Sequence, residues 1–180
     1  MVCINIGMNI ADIRAKTAYN PNALPTQKQA TRDWLRGMHT QYPIALTLTL
    51  KQQVVERTAT GNFTRKLTKD DCIKAAERFV MKLNRAVFRG AAERHGKKLN
   101  YLVVIEGERS YKNLHLHIAI GNLPAHVKFN TINELVGEAR KHVQQLDEQY
   151  KVDIADSGWF EYMTKELGAK DTDNVLWHLA

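Results

Sequence analysis

The feature that most constrains the fold of this chain is a strict alternation of apolar residues with small or polar ones. Every second position from residue 44 to residue 50 is apolar, in the order Ile44, Leu46, Leu48 and Leu50. Successive side chains of a β-strand point to opposite faces of the sheet. The alternation therefore predicts a strand with one buried face, and other elements must cover that face.

Further segments predict more strands. Residues 101–106 and 114–120 are apolar runs separated by a short polar segment, which is typical of two antiparallel neighbours joined by a turn. A more polar hairpin or loop is expected over residues 52–67, with its turn at Gly61 and Asn62. A short strand is expected over residues 152–154.

Four segments predict helices. They cover residues 26–38, residues 68–89, the residues after a capping box formed by Thr131 and Glu134, and residues 159–167. Thr68 and Asp156 precede two of these helices, and their side chains can accept hydrogen bonds from the first backbone N–H groups. We expect the basic residues on the longest helix to form a solvated face rather than a DNA contact.

Length and composition limit the classes of protein. A chain of 180 residues fits a single domain with its own core, and residues 1–25 are expected to form an arm before it. The formal net charge of +7 is compatible with a polyanionic partner and equally with a solvated basic face. Cys3 and Cys72 make no disulfide framework, and neither a signal peptide nor a membrane span is expected. These features predict a cytoplasmic protein with no membrane partner.

Two histidines in the run of residues 114–120 are candidate metal ligands. His115 and His117 are two positions apart, so their side chains lie on the same face of a strand. Two neutral imidazoles on one face can bind one divalent metal ion, although such a pair can also be merely solvated. Glu106, at the end of the preceding strand, is the preferred third ligand, and Glu108 in the turn is the alternative.

The last predicted helix carries two candidate catalytic residues. Tyr162 and Lys165 are three positions apart and therefore share a helix face. A phenol can act as a nucleophile, and a neighbouring ammonium can lower the pKa of that phenol or stabilise charge on a phosphate. Glu166 is a further candidate metal ligand. In the competing interpretation Tyr162 belongs to the core with its apolar neighbours, which are Trp159, Phe160, Met163 and Leu167.

These three motifs, in this order, resemble those of the HUH endonucleases. The resemblance is greatest to the replication initiators (Rep proteins) of rolling-circle plasmids, bacteriophages and small single-stranded DNA viruses. Their first motif is similar to residues 46–49, their second to residues 115–117, and their third to residues 162–165. The similarity spans residues 42–168, most of the chain.

The resemblance implies both a fold and a chemistry. The fold would be α+β, with a central antiparallel sheet of about five strands flanked by helices, as in the palm of HUH and RRM domains. Glu106, His115 and His117 would bind Mn²⁺ or Mg²⁺. Tyr162 would attack a phosphodiester of single-stranded DNA, with Lys165 stabilising charge, and leave a 5′-phosphotyrosine link and a free 3′-OH.

The resemblance also implies a biological role. The free 3′-OH would prime rolling-circle replication of a plasmid, phage or other mobile element in a prokaryotic host. The expected partners are single-stranded DNA at a replication origin, in a hairpin or loop, and the helicase and polymerase of the host. The single tyrosine favours the one-tyrosine branch of the superfamily. No P-loop is present, and no helicase domain is expected.

Other functions remain open from the sequence. A relaxase or a single-tyrosine transposase would use the same chemistry, although the three-histidine cluster common in relaxases is missing. Outside the enzymes, the alternative is a non-catalytic protein that binds single-stranded DNA by stacking bases on Trp34, Tyr111 and Trp159. No oligomeric state is predicted.

Overall fold

The computed structural model describes residues 27–107, 113–165 and 174–180, so the predicted N-terminal arm lies outside the described residues. The α-helices in these ranges are α1 (Gln27–Met38), α2 (Lys69–Phe88), α3 (Gly90–His95), α4 (Phe129–Lys141) and α5 (Ser157–Met163). The strands are β1 (Ile44–Leu50), β2 (Gln53–Thr58), β3 (Gly61–Lys66), β4 (Asn100–Glu106), β5 (His115–Gly121) and β6 (Leu146–Ile154). None of the helices in these ranges combines the length and the apolar character needed to cross a membrane.

Within the described ranges, four strands form one antiparallel sheet in the order β4, β5, β1, β6. β2 and β3 form a separate hairpin. The predicted α+β fold, a central antiparallel sheet flanked by helices, is confirmed, with four strands in the main sheet where about five were expected. β5, which carries both histidines, is an inner strand.

One face of the sheet packs against α2 and α4 and forms the larger core. The alternating residues of β1 are buried on this face as predicted, and so are the alternate residues Leu116, Ile118 and Ile120 of β5. The helices contribute Cys72, Ala76, Phe79, Leu83, Ile132 and Val136. Each fully buried large apolar side chain contributes about 1.5–3 kcal/mol, so this core supplies most of the driving force for folding.

The start of α2 joins the helix to the β2–β3 hairpin. Thr68 Oγ1 accepts a hydrogen bond from the backbone N–H of Asp71, and the Asp71 carboxylate accepts one from the backbone N–H of Thr68. The guanidinium of Arg65 in β3 donates two hydrogen bonds to the same carboxylate, at 2.6 and 3.0 Å. The predicted Thr68 cap is therefore present and is reinforced by a contact from the hairpin.

The opposite face of the sheet packs against α1 and α5 and forms a smaller core. This core consists of Leu35, Tyr42, Leu102, Val104, Ala119, Phe160, Met163 and Val175. Val175 also pairs with Val104 on the outer side of β4. Because side chains alternate along a strand, His115, His117 and Glu106 belong to this face and not to the larger core.

Two sequence predictions for the middle of the chain are wrong. The capping box of Thr131 and Glu134 does not form, because α4 begins at Phe129 and Thr131 therefore lies inside the first turn. β6 has nine residues rather than the three expected at residues 152–154. It is an edge strand with mostly exposed side chains, so its apolar alternation is too weak to reveal its length.

The predicted helix over residues 159–167 is shorter and begins earlier. Asp156 caps it as expected, since its carboxylate accepts a hydrogen bond from the backbone N–H of Trp159 at 2.8 Å. The helix ends at Met163, and both the backbone N–H and the hydroxyl of Thr164 donate to the carbonyl oxygen of Phe160, at 3.2 and 2.8 Å. Lys165 therefore lies in a turn after the helix.

Candidate functional site

The pairing of β4 with β5 places Glu106 directly opposite His115. Directly opposite side chains of an antiparallel pair project from the same face, so Glu106 points towards both histidines. Gly107 follows with a φ of 104°, and a Cβ atom there would lie 2.6 Å from the carbonyl oxygen of Asn113. Only glycine permits this close return of the chain, which holds the ends of the two strands together.

Glu106, His115 and His117 form a group that can hold a metal ion. One ligand atom from each residue lies within 4.8 Å of the others. Oε2 of Glu106 is 2.6 Å from Nε2 of His117 and 3.3 Å from Nε2 of His115. Two imidazole nitrogens and one carboxylate oxygen suit a divalent metal and leave positions for water or substrate. Glu108 and Glu166, the other candidate ligands, lie outside the described residues.

Hydrogen bonds behind each imidazole orient the two rings. Nδ1 of His115 is 2.8 Å from the backbone carbonyl oxygen of Asn113, which only accepts, so Nδ1 carries a hydrogen and Nε2 is the nitrogen that faces Glu106. Nδ1 of His117 is 3.1 Å from the hydroxyl of Thr47, which can either accept or donate. Without a metal, Nε2 of neutral His117 donates to the Glu106 carboxylate at 2.6 Å, so Nδ1 accepts from Thr47. In the other tautomer Nδ1 donates to Thr47, and the Nε2 lone pair is then available to a metal ion.

Burial and neighbouring charges set the ionisation of the ligand group. Glu106 is 2% exposed and His117 is 1% exposed. Burial raises the pKa of Glu106, but the hydrogen bond from Lys165 and the neighbouring histidines outweigh this effect, and the pKa of Glu106 lies below its usual value. Burial and the proximity of His115 lower the pKa of His117 to about 4. At neutral pH the carboxylate is therefore ionised and His117 is neutral, which are the ligand forms that bind metals.

α5 crosses this face of the sheet and places Tyr162 beside the ligand group. The centroids of the Tyr162 and His117 rings are 5.0 Å apart in an edge-to-face arrangement. Tyr162 remains 44% exposed, whereas its neighbours Phe160 and Met163 are buried. The phenol is therefore accessible and is not part of the core.

Lys165 connects Tyr162 with the ligand group. Its Nζ atom is 2.6 Å from Oε1 of Glu106 and 3.4 Å from the centroid of the Tyr162 ring. Burial lowers the pKa of Lys165, but the hydrogen bonds and charge attraction of Glu106 and Tyr162 together outweigh burial, so the pKa of Lys165 is raised and its ammonium stays charged. The turn before Lys165 is held by Arg32 of α1, whose Nε donates to the Thr164 hydroxyl at 3.2 Å.

The structure brings together five of the residues that the sequence singled out, namely Glu106, His115, His117, Tyr162 and Lys165. It adds two whose place at the site was not predicted. Thr47 faces His117 across the pairing of β1 with β5. Trp159 lies 5.2 Å from the His117 ring and 5.8 Å from the Tyr162 ring, centroid to centroid, and is inclined to the Tyr162 ring by 23°. The i, i+3 spacing of Trp159 and Tyr162 in the sequence could have predicted that Trp159 lies beside Tyr162. The contact of Thr47 with His117 could not be predicted in this way, because it depends on the order of the strands in the sheet.

Comparison with known proteins gives no relatives: no family model, no curated protein and no solved structure matches this chain. The function of the site therefore has to be inferred from its residues and their geometry.

Proposed function

We propose that this protein is a metal-dependent endonuclease that nicks single-stranded DNA and becomes covalently joined to it through Tyr162. The observation that carries the proposal is the 5.0 Å separation of the Tyr162 and His117 rings, with Tyr162 still exposed. An accessible phenol beside two histidines and a carboxylate combines a nucleophile with a metal site that one phosphate can reach. The substrate class follows from the motif order, which resembles that of the HUH endonucleases.

The reaction begins with attack of the Tyr162 oxygen on the phosphorus of a phosphodiester. A bond forms between the phenolic oxygen and phosphorus, and the bond between phosphorus and the 3′ oxygen breaks. The phenolic proton passes, directly or through water, to the departing 3′ oxygen. The products are a 5′-phosphotyrosine and a free 3′-OH, and attack by that hydroxyl on the link reseals the strand. The Lys165 ammonium stabilises negative charge that develops near Tyr162.

The ligand group suits Mn²⁺ or Mg²⁺. Glu106, His115 and His117 would hold the ion, which when bound polarises a phosphate oxygen. The chain itself prepares the site: burial keeps His117 neutral, and Thr47 and the Asn113 carbonyl orient the two imidazoles.

Initiation of rolling-circle replication is the role that we propose for this chemistry. The substrate is then single-stranded DNA at the origin of a plasmid, phage or other mobile element, and a helicase and a polymerase of the host extend the free 3′-OH. The net charge of +7 is compatible with a polyanionic partner. We place the protein in the cytoplasm, where such DNA is replicated.

A covalent-adduct assay tests the proposal. The protein is mixed with a pool of single-stranded DNA and Mn²⁺, denatured, and separated on a denaturing gel. We expect a shifted band that disappears with a chelator and in Tyr162→Phe. Tyr150→Phe is the matched control, because Tyr150 packs against the larger core on the other face of the sheet.

The outcomes of this assay are distinct. A shifted band that persists in Tyr162→Phe would mean that another residue is the nucleophile. Binding of DNA from the pool and from neighbouring genomic sequence without any adduct would indicate a non-catalytic binding protein and would contradict the proposal.

A further inference from the structure

A cavity of about 490 Å³ opens beside the candidate nucleophile. Trp159 and Tyr162 form one wall, and Ala45 and Thr47 of β1 contribute to the sheet side. The volume falls within the range of about 300–1,000 Å³ that is usual for small-ligand pockets. Because Tyr162 lines the cavity and also contacts the His117 ring, the cavity and the ligand group share one side chain.

The wall of the cavity is aromatic and the rim is polar. The Trp159 and Tyr162 rings are within 23° of parallel. At the rim, Nζ of Lys151 pairs with the Asp153 carboxylate at 2.9 Å, and both side chains are mostly exposed. Asp156 adds a second carboxylate. An aromatic wall with hydrogen-bonding groups at its edge suits a planar heterocycle.

The charges of the rim favour a base over a phosphate. The rim carries two carboxylates, those of Asp153 and Asp156, and one ammonium, that of Lys151. Because negative charge is in excess, an anionic phosphate inside the cavity would be repelled. A neutral base can stack on the wall and still use the donor and acceptors of the rim.

We propose that this cavity binds one unstacked nucleobase of the substrate strand, next to the phosphate that Tyr162 attacks. The identity of the strand rests on the proposed function. A base held on Trp159 would fix the position of its own phosphate relative to Tyr162, so that binding energy is used to align the reacting groups. The base contact would also support DNA binding without any metal.

Tryptophan fluorescence can test this proposal without any nicking. The chain has three tryptophans, and Trp34 and Trp177 contact each other away from the cavity, with ring centroids 5.8 Å apart. Replacing both by Phe leaves Trp159 as the single reporter, and Tyr162→Phe prevents covalent reaction while keeping the ring. This variant is titrated in a chelator with short single strands, with matched abasic strands and with inorganic polyphosphate.

We expect the strands with bases to quench Trp159 fluorescence and the abasic strands and polyphosphate to leave it unchanged. Equal quenching by abasic strands, or none with any strand, would overturn the proposal. In the otherwise natural chain, Trp159→Leu should weaken binding of single-stranded DNA about tenfold. Trp177→Leu is the matched control, because Trp177 is 43% exposed and does not line the cavity, and this variant should bind as the natural protein does.

The two proposals can fail separately. Base-dependent quenching with no covalent adduct would support the base pocket and contradict the nicking function. A Tyr162 adduct with no base-dependent quenching would support the nicking function and contradict the base pocket.

Discussion

The ammonium of Lys165 lies 2.6 Å from the buried carboxylate of Glu106. This ion pair ties the turn after α5 to the end of β4 and places a fixed positive charge beside the candidate metal ligands. A cation in that position repels a divalent metal ion while it stabilises a phosphate. Lys165 is therefore expected to have opposite effects on metal binding and on reaction.

Replacing Lys165 by methionine separates these two effects. Lys165→Met keeps most of the side-chain volume and removes the charge, so Mn²⁺ should bind more tightly, by up to about tenfold or 1.4 kcal/mol. Formation of the covalent adduct should fall at the same time, because the charge that stabilises the reacting phosphate is lost. Calorimetric titration measures the first effect and the adduct assay measures the second.

Lys141→Met is the control for this substitution, since Lys141 is an exposed lysine on α4. It should change neither quantity. If Lys165→Met weakened Mn²⁺ binding, the assignment of the ligand group would be wrong.

Thr47 should act as a positioning residue for His117. Thr47→Val removes the hydroxyl that lies 3.1 Å from Nδ1 of His117 but keeps the branched shape. Loss of such an orienting bond typically weakens metal binding about 10- to 100-fold. Thr47→Ser keeps the hydroxyl and should bind metal nearly as well as the natural protein. Thr49→Val, two positions along the same face of β1, should also leave metal binding almost unchanged. An equal loss in both valine variants would point to a general effect on the strand.

The stability of the metal-free protein should depend on His117 in acid. In the unfolded chain His117 takes up a proton near pH 6.5, whereas in the folded protein its pKa is about 4. The unfolded state therefore binds the extra proton first, and the contribution of His117 lowers the free energy of unfolding as the pH falls from 6.5 to 4, by at most about 3 kcal/mol.

Urea denaturation in a chelator at several pH values measures this contribution. His117→Gln lacks the titrating group. As the pH falls from 6.5 to 4, the free energy of unfolding of this variant should therefore increase steadily relative to that of the natural protein. A difference between the two proteins that stays constant with pH would show that His117 does not resist protonation in the folded state.

Asp71 should be a stability determinant that is separate from the site. Asp71→Asn weakens both the capping box with Thr68 and the paired hydrogen bonds from Arg65, so the free energy of unfolding should fall by about 2 kcal/mol. The hydrogen bonds from Arg65 hold the pKa of Asp71 well below its usual range, so the carboxylate of the folded protein is protonated only in strong acid. The difference in the free energy of unfolding between the natural protein and Asp71→Asn should therefore shrink only there. Asp70→Asn, at the exposed neighbouring position, should cost less than about 0.5 kcal/mol.

Local sequence patterns predicted the elements whose faces differ strongly in polarity. β1 and β5 have one face of large apolar residues, and Thr68 begins a helix with a clear apolar stripe, so these elements were found with nearly correct bounds. Most of β6 was not predicted, because an exposed edge strand needs little alternation of apolar and polar residues. The extent of α5 was misjudged, since the apolar spacing in the sequence continues to Leu167 whereas the helix ends at Met163.

The sequence by itself determined that His115 and His117 share a face, because the alternation of side chains along a strand is a local property. It also indicated Glu106, since a hairpin brings the end of one strand to the start of the next. Only the tertiary structure decided that Thr47 supports His117 and that Lys165 reaches Glu106. Those contacts depend on the order of the strands and on the path of α5 across the sheet, which long-range packing sets and which no local periodicity records.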